Sequence, residues 1–240
     1  MALCVAALGD DGADILECHS GREGMTEIIL KWIAQETPVL LTLDTPLGWP
    51  TDLTTILSSH QAGLPLRLKP GALFYRECDR MIKSNFGIGN KPIGADKVAF
   101  NTYSALTFLD HIGYKQGMRI PLVWDQFLQY PAQVIEVSPR ATLSSLSLPY
   151  DKIKGLSMEA EDCRNSILHG ITDWVNTGEY YEQVLTSPPL MLAALGVLAG
   201  HDFLRMTTVE PQDMYTAKKE GWIWVREKPL AASSATQLPE

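Results

Sequence analysis

Apolar runs bounded by turn residues predict a chain of alternating strands and helices. Residues 3–8 (LCVAAL) and 14–19 (DILECH) flank a Gly/Asp turn, which is typical of a β-hairpin. Residues 25–35 (MTEIILKWIAQ) carry apolar side chains at helical spacing. Residues 39–43 (VLLTL) form a short continuous apolar run that indicates a buried central strand, covered on both faces. The chain therefore opens with the pattern β-β-α-β.

Strand and helix patterns continue to alternate along the rest of the chain, which predicts an α/β fold. We expect one domain over residues 1–228 and a disordered tail over 229–240, where the polar AASSATQLPE segment lies. Helices are expected over 74–87, 97–111, 162–176 and 191–206, and strands over 132–143 and 220–225.

Composition narrows the class of protein. A chain of 240 residues with 45% hydrophobic residues can bury a core without disulfides. The four cysteines show no ligand spacing, which favours a reducing compartment and argues against structural zinc. The longest apolar run, 189–200, is too short for a membrane span, and residues 1–9 lack a basic export signal. We expect a cytoplasmic protein that does not enter a membrane.

Charge is distributed unevenly along the chain. The net charge of −8 disfavours attraction of the whole surface to nucleic acid. The segment 67–97, in contrast, carries seven basic and three acidic residues, and Arg76, Arg80 and Lys83 recur at helical spacing. This segment is either a phosphate-facing patch or an ordinary solvated surface of mixed charge.

Three carboxylates fall on elements expected to be buried. Asp44 follows the apolar strand directly, where α/β sheets place their chemistry, unless it only starts the turn or caps a helix. Glu136 lies inside a strand, so it is paired, protonated or metal-bound, or else faces water from an edge strand. Asp202 lies on the last long helix, next to His201. If Asp44, Glu136 and Asp202 converge, they would bind Mg²⁺ or Mn²⁺ for phosphodiester hydrolysis, with His201 assisting proton transfer.

The order of motifs resembles a known family. TLDTPLGWP, RECDR, VIEVSPRA, a helix bearing HD and a terminal EGWIWV follow one another as in the DUF429 family of predicted RNase H-like nucleases. The resemblance implies an RNase H-like fold, with a mixed central sheet flanked by helices, and metal-dependent cleavage of nucleic acid. It implies Asp44, Glu136 and Asp202 as metal ligands. Arg76, Asp79 and Arg80 match the R-x-x-D-R segment, so Arg76 and Arg80, with Lys83, are expected to bind phosphate or support the site.

One departure from the family pattern changes the expectation. Family members begin with a G-I-D strand that supplies a metal ligand, and the run LCVAAL matches the family's second strand instead. Either the start codon is assigned too late or the strand is absent, in which case the sheet loses a central member. Three functions stay open: a metal-dependent nuclease, a catalytically degenerate module that binds nucleic acid or protein, and a nucleotide-handling enzyme on the same fold.

Overall fold

Two separate three-stranded sheets carry the fold in the computed structural model, which describes residues 1–228. The predicted tail, 229–240, lies outside the described residues. The first sheet has the order β1 (Ala2–Leu8), β2 (Ala13–Ser20) and β5 (Val175–Asn176). The second, entirely parallel, has the order β3 (Val39–Leu43), β4 (Ala132–Val137) and β6 (Ile223–Trp224).

Ten α-helices connect and cover these strands within the described residues. They are α1 (Met25–Ile33), α2 (Thr51–Leu57), α3 (Pro70–Phe74), α4 (Glu77–Phe86), α5 (Val98–Gln116), α6 (Pro139–Ser145), α7 (Met158–Ile171), α8 (Tyr181–Thr186), α9 (Pro188–Leu204) and α10 (Met214–Glu220). A short 3-10 helix, Gly178–Tyr180, precedes α8. None of these helices combines the length and apolar character that crossing a bilayer requires.

The hairpin and the first helix are confirmed. The strand 39–43 also forms, but it is a half-buried edge strand and not the buried central strand that was expected, because β4 takes the middle of its sheet. Some predicted boundaries are wrong for local reasons. Within the candidate segment 132–143 the strand ends at Val137, which confirms that Ser138 and Pro139 end the apolar run, and residues from Pro139 onward form α6. The helix predicted from residue 162 already starts at Met158, where the Ser157 hydroxyl caps it. The last predicted strand is reduced to Ile223–Trp224, because Glu220 still belongs to α10.

Helix α9 lies against both sheets, and its contacts give the directions of β1 and β3 relative to the helix. The Cys4 thiol lies 3.6 Å from the Leu190 carbonyl, and Arg205 donates to the Gly9 carbonyl, so β1 runs along α9 in the same direction. A Cβ added at Gly196 or Gly200 would meet the Thr42 side chain at 2.9 or 3.0 Å, and Leu40 also lies beside Gly200.

Strand β3 therefore runs the opposite way. The alternation of helices and strands confirms the predicted α/β class. β1 and β3 are edge strands of different sheets, so two small sheets replace the expected single central sheet.

The turn after β3 packs directly on the end of α10. A Cβ on Gly48 would lie 2.3 Å from the Glu220 carbonyl oxygen, closer than real atoms approach. Only glycine fits there, because the obstructing atoms are backbone.

We expect Gly48→Ala to lower the free energy of unfolding by more than about 2 kcal/mol, since the turn must separate from α10. Gly71→Ala is the matched control, because an added Cβ there meets nothing within 4 Å, and it should change stability by less than about 1 kcal/mol. Urea unfolding measures both. Equal stability of the two variants would contradict the close packing.

Candidate functional site

A pocket opens at the carboxyl ends of β3 and β4. The parallel register places Leu43 opposite Glu136, so Asp44 follows β3 beside the end of β4. The pocket has a volume of about 150 Å³. Its lining comes from both strand ends, the start of α4, the loop before α5 and β6, and includes Asp44, Thr45, Arg76, Asp79, Asn90, Lys91, Glu136 and Ser138.

Glu136 lies in the middle strand of its sheet and pairs with Arg76. The Arg76 guanidinium donates from Nη1 to Oε2 at 2.7 Å and from Nη2 to Oε1 at 2.6 Å. The Leu47 backbone N–H donates to Oε2 at 2.9 Å. Both residues are buried, with exposures of 1% for Arg76 and 3% for Glu136. Of the explanations open for an acid in this strand, the structure selects pairing and excludes an edge position facing water.

A second carboxylate holds the other side of the same guanidinium. Arg76 donates from Nε to Asp79 Oδ2 at 3.1 Å and from Nη2 to Oδ1 at 3.2 Å. The backbone N–H of Arg76, the residue before α4, also donates to Asp79 Oδ2 at 3.0 Å, which caps that helix. The Asn90 amide donates to Oδ1 at 2.9 Å. One cation therefore lies between two carboxylates, each bound through two hydrogen bonds.

The number of donors determines the charge of this cluster. Burial raises the pKa of Glu136, whereas the Arg76 charge and the hydrogen bonds from Arg76 and Leu47 lower it. Burial alone would lower the pKa of Arg76, but Glu136 and Asp79 help to raise it well above its usual value. With three donors directed at its two oxygens, Glu136 is held as a carboxylate, and Arg76 stays charged.

Glu220, which the sequence interpretation missed as a site residue, ties this cluster to two helix starts. Its carboxylate accepts from the backbone N–H of Thr51 and of Glu77, both at 2.7 Å, and so caps α2 and α4 together. Its own carbonyl accepts from Arg76 Nη1 at 3.3 Å. Gly221 follows with a φ of 84°, close to the Arg76–Glu136 pair. The EGW motif was the available signal, although it predicted only a strand.

Asp44 differs from the other acids because no hydrogen bond from residues 1–228 reaches its carboxylate. Asp44 is an exposed residue that borders the pocket. Partial desolvation by the protein around its carboxyl group raises the pKa of Asp44 to about 6, with Lys154 lowering it and Glu136 raising it. The strand-end position predicted for Asp44 is confirmed.

Asp202 and His201 do not line this pocket. Asp202 accepts two hydrogen bonds from Arg226, at 3.0 Å from Nε and 2.5 Å from Nη2. His201 borders a different pocket, of about 420 Å³, with Asp10 and Arg205. Burial lowers the pKa of His201, although the Asp202 carboxylate raises it. Asp202, the predicted site residue on α9, is thus bound by Arg226 and not by Arg76.

The three predicted phosphate-binding residues separate into two environments. Arg76 is buried in the carboxylate cluster and supports the site, whereas Arg80 and Lys83 are exposed. Arg80 donates to the Tyr75 carbonyl at 2.6 Å. The expectation of one exposed basic side is therefore wrong for Arg76.

The predicted metal site can be compared with these contacts. Arg76 and Leu47 donate to both oxygens of Glu136, Asp79 is engaged by Arg76 and Asn90, and Asp202 is engaged by Arg226. Across residues 1–228, no group of three or more His, Cys, Asp or Glu side chains is placed to hold a metal ion. Glu136 and Asp202 therefore offer no free oxygens for a shared Mg²⁺ or Mn²⁺ ion, and of the three predicted ligands only Asp44 receives no hydrogen bond within residues 1–228.

Comparisons with known proteins add no assignment. No family model, no curated protein and no solved structure matches the chain. The family expected from the motifs stays a prediction.

We expect Arg76→Met to lower the free energy of unfolding by about 3–5 kcal/mol at neutral pH, because two buried carboxylates lose their cation. Burial already raises the pKa of Glu136 in the folded state, and loss of the Arg76 charge and hydrogen bonds raises it further, so the loss of stability should grow as pH rises through the range in which Glu136 ionises. Arg80→Met is the control and should cost less than about 1 kcal/mol. Denaturant unfolding at pH 5 and pH 7.5 tests this, and a loss that shrinks as pH rises would contradict it.

Proposed function

We propose that this chain is a nucleic-acid-binding module of the RNase H-like type in which arginines pair with the acidic positions. The observation that carries the proposal is the double engagement of Glu136 by Arg76, with Asp202 engaged in the same way by Arg226. Carboxylates held by arginines repel phosphate less than unpaired carboxylates do, because the guanidinium charge offsets part of theirs. The pocket can therefore lie within a phosphate-binding surface.

The exposed charge of segment 67–97 supports this function. Arg76 and Asp79 are buried against each other, so their removal from the count leaves the surface of the segment at +4, from six basic and two acidic residues. The exposed bases are Arg67, Lys69, Arg80, Lys83, Lys91 and Lys97. An excess of this kind attracts a polyanion even on a protein of acidic overall charge.

Packing brings Lys69, Lys91 and Lys97 to the region of the pocket. Leu73 of α3 and Ile93 of the loop before α5 share one apolar cluster, which Val98 joins. Lys69 and Lys97 directly precede α3 and α5, and Lys91 lines the pocket itself. Lys91 pairs with Asp96 at 3.3 Å, but both side chains are exposed, so the pair is weak and can exchange for a phosphate.

We expect the chain to bind a labelled single-stranded oligonucleotide with an affinity that falls as salt is raised, because phosphate contacts release counterions. Replacing Lys83 and Lys91 together with Ala should reduce the slope of log affinity against log salt by about 1.4, at roughly 0.7 per lost phosphate contact. Fluorescence anisotropy at several salt concentrations measures this slope.

The matched control is the double variant Lys31→Ala, Lys115→Ala, which removes two exposed lysines outside the segment. It should leave the slope unchanged. Absence of binding by the unaltered protein, or an equal loss in both double variants, would overturn the proposal.

A second candidate, the divalent-metal-dependent nuclease, is favoured by Asp44. This carboxylate borders the pocket at the end of β3 and receives no hydrogen bond from residues 1–228. An acid kept in such surroundings with a pKa near 6 is a common mark of a functional position. Phosphodiester hydrolysis is the chemistry that the motif resemblance implies for it.

If the chain is a nuclease, it should bind Mn²⁺ in calorimetry and cleave oligonucleotides with Mg²⁺ or Mn²⁺. Asp44→Asn should abolish both without lowering the unfolding temperature, because Asp44 receives no hydrogen bond within residues 1–228. Asp110→Asn, an exposed carboxylate on α5, serves as the control and should leave both unchanged. Mn²⁺ binding that survives in Asp44→Asn, or no binding by the unaltered protein, would rule out this site and leave the binding module.

A further inference from the structure

Two cysteines face each other across the β1–β2 hairpin. Cys4 and Cys18 are directly paired in the antiparallel register, and their sulfur atoms lie 3.4 Å apart. Both are half-buried, and both pack against the apolar cluster that α7, α8 and α9 form with the first sheet. They are the two cysteines that strand pairing holds together, whereas Cys78 and Cys163 lie on separate helices.

The backbone already satisfies the requirements of a disulfide. Opposed residues in an antiparallel pair have Cα atoms about 4.5 or 5.5 Å apart, and disulfides span about 4.4–6.8 Å. Sulfur atoms in hydrogen-bond contact need only small side-chain rotations to reach bonding distance. No movement of either strand is needed.

The contact between the two thiols also divides their roles. The hydrogen bond to Cys18 raises the pKa of Cys4, and burial raises it further. The same hydrogen bond lowers the pKa of Cys18, so Cys18 is the thiol that ionises first. The thiolate is the nucleophile in thiol–disulfide exchange.

We propose that Cys4 and Cys18 form a reversible disulfide site that reacts with low-molecular-weight disulfides such as oxidised glutathione. The Cys18 thiolate attacks one sulfur of the oxidant, a Cys18–glutathione bond forms, and one glutathione thiolate leaves. Cys4 then loses its proton to solvent and attacks the Cys18 sulfur, and the second glutathione leaves. The protein loses two protons and two electrons, and one oxidised glutathione takes them up to become two reduced molecules.

The bond would fix the hairpin that packs along α9. It closes the chain between residues 4 and 18, next to the register shift between Val5 and Ala6. Opening of edge strand β1 would then be restricted, because the crosslink removes conformational freedom from the opened chain. We expect oxidation to raise the melting temperature by about 5 °C.

To test this, the full chain is treated with oxidised glutathione, the remaining thiols are blocked, and the protein is digested with trypsin. Mass spectrometry then gives the masses of the peptides. Residues 1–22 contain both cysteines in one tryptic peptide. We expect this peptide to carry no blocking group, to be two hydrogen masses lighter than the unblocked reduced peptide, and to regain both hydrogens with dithiothreitol. Cys163, half-buried on α7, reports in the same sample whether the oxidant reached a thiol without a facing cysteine.

Single variants identify the order of the two steps. Cys4→Ser should stop at a glutathione adduct on Cys18, because no second thiol resolves it, and should lose the rise in melting temperature. Cys163→Ser should still form the disulfide. If Cys163 is modified while peptide 1–22 stays reduced or carries two separate adducts, the proposal is overturned, and this result is independent of whether the pocket binds nucleic acid.

Discussion

A buried guanidinium is the interaction on which the architecture of this chain depends. Arg76 is withdrawn from water, and a charge in that position is tolerated only when its donors are matched by acceptors. The acceptors come from β4, from the first turn of α4 and from the end of α10. The turn after β3 joins them, because the Leu47 N–H shares a carboxylate oxygen with the guanidinium. Four stretches that are far apart in sequence must therefore be correctly placed at once.

The same arrangement separates structural acids from a functional candidate. Glu136, Asp79 and Asp202 each carry hydrogen bonds from an arginine, so their charge is used to hold elements together. Asp44 lies at the strand end beside them without such a bond in the described chain, and Glu136 adds to its cost of ionisation.

Sequence patterns predicted those features of the site that depend on residues close together in the chain. The apolar run ending at Asp44 and the costly position of Glu136 could both be interpreted from neighbours in sequence, since a carboxylate within a buried strand requires a partner. The identity of that partner could not. Arg76 shares helical spacing with Arg80, but it precedes α4 and turns inward, which depends on tertiary contacts. Arg226 as the partner of Asp202 and the separation into two sheets are likewise long-range outcomes.

The contribution of Glu220 and Gly221 has a consequence for the order in which the molecule can form. Residues 220–224 are the last of the contributing stretches to leave the ribosome, and they complete the contacts of Arg76 and the caps of α2 and α4. A nascent chain that ends before them holds a desolvated cation with fewer acceptors and two helix starts with unmet N–H groups. The pocket is therefore assembled after translation has passed residue 224, and shorter translation products should be substrates for chaperones and proteases.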